Sequence, residues 1–131
     1  MATNLDIITE AYQLANITND REVLNSRQSS KGLTFLNDMM IDWQEDGIEL
    51  GYYRQTLLND TFPVEDRYFR GVKYNLSLGI AGANGVVAPE ETRRIAGITF
   101  DRLAKATIDV VDTKYNHMPT GGRSGFNVET G

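Results

Sequence analysis

Carboxylates are the side chains best supplied for chemistry here: the 131-residue chain holds 18 Asp and Glu against one histidine and no cysteine. Two adjacent pairs, Glu45-Asp46 and Glu90-Glu91, offer what glycoside hydrolysis needs, one acid to protonate the leaving oxygen and one base or nucleophile. Neighbours on a helix point about 100° apart, which turns the two acids of each pair away from a shared bond. Acids at a helix start are also explained by the positive end of the helix dipole. His117 stands alone near a glycine-rich tail, and a catalytic triad needs its base held by a third group. No catalytic set assembles around it.

Cofactor chemistry fares no better. One histidine, no thiol and no carboxylates at calcium-loop spacing make a metal site unexpected. Gly-Ile-Ala-Gly-Ala-Asn-Gly at 79–85 lacks the P-loop lysine and reads as a helix end and turn. The expectation is no catalytic, cofactor-binding or metal residue, and no cofactor.

Composition narrows the partners. A net charge of −5 with scattered bases disfavours a groove that grips DNA, because phosphate contacts need clustered Lys and Arg. It suits a surface that DNA slides past. Residues 114–131 carry Lys114, Arg123 and Glu129, a net of +1 on a tail that leaves an acidic body. No apolar run approaches the roughly 18 residues of a membrane span. Asp6 and Glu10 stand where a secretion signal would be basic, so assembly in a reducing cytoplasm without disulfides is expected.

The elements that must present these residues read as an all-α bundle of about four helices, with a short extended or hairpin segment after Gly47 and a flexible C-terminal tail. A first helix is expected over about Asn4–Ala15, with Thr3 or Asn4 as N-cap and Leu5, Ile8, Tyr12 and Ala15 on one stripe. A second starts between Asp20 and Ser30 and stops at Gly47, which has the position of a left-handed C-cap. On it Leu36, Met39, Met40 and Trp43 form one apolar arc, while Asp38, Asp42, Glu45 and Glu49 gather opposite. Five acids and no base lie between Gly32 and Arg54; like charges four apart cost a few tenths of a kcal/mol each, which leaves two readings, a solvated face on an acidic protein, the commoner origin of a charge run, or a negative face with a use. From Ile48 to about Leu58 the pattern turns extended, so Tyr52 and Tyr53 face opposite ways, one inward and one offered to a neighbour. Pro63 and Pro89 are expected to open helices three and four. Helix three buries Phe69, Val72, Leu76 and Ile80; helix four buries Ile95, Ile98, Leu103, Ala106, Val110 and Val111. After Tyr115 periodicity ends, and four of the last eleven residues are glycine. The expected division is a helical domain over 1–115 and a tail over 116–131 that orders on a partner.

Leu36, Met39, Met40, Trp43, Asp46, Gly47, Ile48, Gly51 and Tyr52, with Met118-Pro119-Thr120-Gly121 and Phe126 in the tail, resemble the head-to-tail adaptor or tail accessory proteins (packaged-DNA stabilisation proteins) of short-tailed phages. Pro63, Asn75-Leu76, Gly85 and Pro89 follow the looser pattern of phage connectors. The resemblance spans about Leu36 to Phe126 and implies a non-enzymatic virion protein at the head-to-tail junction. Such a protein binds the portal, joins copies of itself in a dodecameric ring, extends the DNA channel without sequence-specific binding, retains the packaged genome until ejection, and docks the next tail or nozzle protein. It implies portal binding by Met118, Pro119, Thr120, Gly121 and Phe126, with Tyr52 and Tyr53 as subunit or tail-protein contacts and Asp38, Asp42, Glu45 and Glu49 as channel-facing acids. The competing readings are a virion-associated peptidoglycan hydrolase using a carboxylate pair, and a free-standing interaction module.

Overall fold

In a computed structural model, residues 2–115 are described; the expected tail lies outside them. Four α-helices follow in order: α1 (Asn4–Leu14), α2 (Ser26–Glu45), α3 (Phe69–Ala83) and α4 (Glu90–Tyr115), with a 3-10 turn over Asp66–Tyr68 leading into α3. α3 is central and packs against each of the other three.

Local chemistry fixes where the helices start and stop. Asp6 N–H donates to Thr3 Oγ1 at 3.2 Å and Thr3 N–H donates to Asp6 Oδ2 at 3.0 Å. Asn25 and Gln28 exchange the same pair of bonds at the head of α2, at 2.8 and 3.1 Å. Each reciprocal box satisfies two of the amides a helix start leaves unpaired. The first three helices end alike. Asn16 (φ 62°), Gly47 (φ 94°) and Gly85 (φ 70°) enter the left-handed region, and the next residue donates back five positions, from Ile17 to Tyr12, Ile48 to Trp43 and Val86 to Ala81. These are Schellman endings. At Gly47 the turn also folds Ile48 onto Trp43 within the main core.

The core joins Ile7, Ile8, Leu36, Met40, Trp43, Phe62, Val72, Leu76 and Ile80, every one buried. Trp43 meets Phe100 edge-on at 5.4 Å, and Phe62 links Tyr52 to Phe69 through ring contacts of 5.9 and 5.6 Å. α1 and α2 cross at Gly32, where an added Cβ would sit 2.3 Å from Ile8 Cγ2. Ile8 is fully buried and held to one rotamer by its helix, so the helices themselves must part. Gly32→Ala is therefore expected to destabilise by about 1–3 kcal/mol through overpacking, although alanine is intrinsically the better helix former by about 1 kcal/mol. A chemical denaturation midpoint equal to or above the wild type would refute the close crossing.

Two sequence expectations change. Pro63 does not open α3: Phe62 and Val64 on either side of it are buried, the 3-10 turn starts only at Asp66, and α3 follows it from Phe69. On α4 the buried face is Thr92, Ala96, Thr99 and Leu103, whereas Ile98 is 39% exposed and Ala106 is exposed. Small residues win because α3 approaches closely at Gly71, which lies against Thr99 and Leu103. Thr99 and Thr107 return their hydroxyls to carbonyls of their own helix, and Thr92 donates to Leu14 C=O at 2.9 Å, so these threonines of α4 leave no orphaned donor. The segment after Gly47 is extended, the first of the two forms expected for it; the one β-bridge among the described residues joins Thr3 and Thr61.

Candidate functional site

Buried amide side chains hold the extended segment where a partner strand would otherwise be needed. Asn37, on the buried side of α2, donates from Nδ2 to Gln55 C=O at 2.9 Å and accepts Gln55 N–H on Oδ1 at 2.8 Å, as a neighbouring strand would. Tyr52 hydroxyl donates to the same Oδ1, and Gln44 Nε2 donates to Tyr52 C=O. From α1, the fully buried Asn4 donates to Gln55 Oε1 and Leu57 C=O, both at 2.9 Å. No apolar-periodicity argument singles out Asn37 or Asn4. The available signal was an asparagine interrupting the apolar arc of α2 beside Leu36.

This lattice decides the two tyrosines. Tyr52 is 4% exposed and belongs to the interior, so only Tyr53, 66% exposed, is offered outward together with Leu57 at 59%. Tyr52 is thereby removed from the candidate contacts. Burial pushes its hydroxyl up to about 12, against smaller lowering effects of the Gln55 backbone bond and the Arg54 charge; burial raises Tyr12 as well. The unfolded tyrosine ionises near 10 while folded Tyr52 holds its proton to about 12, so this contribution is complete below pH 10 and is lost as pH rises from 10 to 12. Alkaline titration is expected to show Tyr52 ionising together with unfolding. Ultraviolet tyrosinate absorbance alongside circular dichroism reads this; six tyrosines ionising near pH 10 with the fold intact would contradict it.

The acids expected on α2 are where the sequence puts them with one change. Asp38, Asp42 and Glu45 are exposed along α2, but Glu49, also exposed, lies past the Schellman turn in the extended segment. None of the four forms a salt bridge among the described residues. Of the carboxylate pairs weighed for hydrolysis, Glu91 is gripped by Arg94 at 3.1 and 2.6 Å, and those bonds hold its carboxyl below the usual range. A general acid needs the opposite shift. Glu45, Asp46 and Glu90 are exposed as well.

The fold also gathers bases that look scattered in sequence. Arg67 of the 3-10 turn, Arg70 of α3 and Arg102 of the antiparallel α4 line one groove of about 240 Å³, together with Gly71, Leu103 and Ala106. Arg67 pairs with Glu65 at 3.3 Å and lies 4.8 Å from the Tyr68 ring centre; Arg70 stacks over Tyr74 at 5.7 Å. Neither Arg70 nor Arg102 has a salt-bridge partner among the described residues. Beside this groove Lys73 bridges to Glu10 of α1 at 2.6 Å.

No group of three or more His, Cys, Asp or Glu among the described residues could hold a metal, and no described helix is long and apolar enough to cross a membrane. The site is thus a set of surfaces: an acidic row, an exposed aromatic edge and an arginine groove. A model of the P22 tail accessory factor family matches residues 2–130, nearly the whole chain. This chain belongs to that family. Membership makes it a tail-associated structural protein of a phage particle, and it agrees with the resemblance carried by Trp43, Gly47 and the tail motif. No curated protein matches the chain. Of this family member's expected portal-binding residues, Met118, Pro119, Thr120, Gly121 and Phe126 all lie outside the described residues, as does His117.

Proposed function

We propose that the protein is a non-enzymatic head-to-tail adaptor: it binds the portal of a filled capsid, forms a ring matched to it, dodecameric on a twelvefold portal, and presents that ring to the next tail or nozzle protein. The observation that carries the proposal is the family match over residues 2–130. The surfaces support it, because they offer docking faces, and the acidic pairs are exposed and lack the apolar cleft a glycosidase acid requires. In this role the ring lengthens the channel and retains DNA, whose backbone a body of net charge −5 does not hold.

Attachment to the portal is assigned to the tail. Met118 and Phe126 supply apolar anchors of the type that dominate small interfaces, and Gly121 lets backbone lie close to a partner. Ordering costs about 1–2 kcal/mol per residue, so several anchors must act together. Deleting 118–131 is expected to leave the helical body folded by circular dichroism and to abolish co-sedimentation with portal or filled capsids. Undiminished binding by a folded truncation would transfer attachment to the body. Loss of cell-wall turbidity on adding the wild-type protein would favour the hydrolase instead.

A further inference from the structure

The acidic row of α2 and the arginine groove are complementary halves that one copy cannot bring together. Asp38, Asp42 and Glu45 recur at four- and three-residue steps on the exposed side of α2, with Glu49 following in the extended segment. The groove opens between α3 and α4. α2 turns Met40 and Trp43 into the bundle, so its acids face away, and no ion pair among the described residues joins them to Arg70 or Arg102. The acidic row is self-repelling alone, since unopposed like charges at helical spacing are mildly unfavourable. We propose that the arginine groove of one copy receives the α2 acidic row of the next copy, making the contact head-to-tail. This rests on the ring reading above and assigns the α2 acids to the subunit contact rather than to the channel wall.

Three features favour a second copy over DNA as the occupant. The groove is small, and its lining includes the apolar Gly71, Leu103 and Ala106, which fits carboxylate side chains flanked by aliphatic stems better than a duplex backbone. Three arginines neutralise too few phosphates for strong binding by a protein of net charge −5. Arginine forks also match carboxylates bidentately. Two different patches on one chain make a heterologous contact, which closes into a ring when the rotation per copy allows it. Complementary charge then sets register and partner choice, and the contact weakens as salt rises.

Because the chain has no cysteine, introduced pairs report cleanly. The full chain carrying both Asp42→Cys and Arg102→Cys, assembled on portal and treated with a short bismaleimide, is expected to give a ladder of linked copies, while either substitution alone gives none. Arg102→Glu is expected to lower the number of copies retained per portal about tenfold at moderate salt, and adding Asp42→Arg in the same chain is expected to restore it, with melting curves confirming that each variant folds. Native mass spectrometry of the untouched wild type separates the two levels. If only single copies bind a portal, the adaptor ring itself fails and this contact with it. If a full wild-type ring forms and the Arg102→Glu chain forms it equally, or the double-cysteine chain gives no ladder, the inference alone is overturned. Normal ring formation by Arg102→Glu with loss of duplex binding would give the groove to DNA and overturn it too.

Discussion

Asn37→Leu is expected to destabilise the protein by about 3–5 kcal/mol, because each buried polar group it abandons costs about 1–3 kcal/mol when left unpaired. The substitution roughly conserves size, so no large cavity obscures the effect. It strands Gln55 N–H, Gln55 C=O and the Tyr52 hydroxyl together, in surroundings where Gln55 and Tyr52 are both about 4% exposed. A domain of this size has roughly 5–15 kcal/mol in all, so the variant should be near the edge of folding at ambient temperature. The damage should begin locally: hydrogen exchange at Gln55 rises first, since Asn37 does for this segment what a neighbouring strand does in a sheet. Urea denaturation measures the total. A variant with the wild-type midpoint would show that the extended segment is held by its apolar residues and that the amide lattice contributes little.

Trp43→Ala is expected to cost about 3–5 kcal/mol, the range for truncating a large buried aromatic. Trp43 is 8% exposed and edge-on to Phe100, so its removal opens a void between α2 and α4. It also sits at the third position from the end of α2, where its carbonyl accepts from Ile48 N–H at 2.8 Å and its side chain shares the core with Ile48. The Schellman turn at Gly47 therefore loses the hydrophobic contact that accompanies its hydrogen bonds. Because Trp43 is the only tryptophan, a Trp43→Phe variant, expected to recover much of the loss, separates core volume from indole-specific packing. Thermal or urea unfolding of the Trp43→Ala protein at wild-type values would mean that α2 faces the other way.

Trp43 and Asn37 mark the boundary between what could be read from the chain and what could not. The sequence alone determined the helical class, the facing of α2 and the stop at Gly47, because apolar spacing, capping residues and a glycine at a left-handed position act through a few neighbouring residues. Leu36, Met40 and Trp43 inward and Asp38, Asp42 and Glu45 outward follow from helical period alone. The opposed facing of Tyr52 and Tyr53 was legible for the same reason, through the two-residue period of extended chain, but which of them faces in was not. Only the tertiary structure decided that, since it depends on Asn37 lying opposite Gln55, 18 residues away. The buried face of α4 was misread because hydropathy ranks Ile98 above Thr99, whereas the close approach of α3 at Gly71 admits small side chains and lets threonine satisfy its hydroxyl within its own helix. The arginine groove was invisible for a related reason. Arg67 and Arg70 are remote in sequence from Arg102, and charge counted along a chain cannot reveal charges gathered by two antiparallel helices, because periodicity describes one element's faces while a surface is made where elements meet.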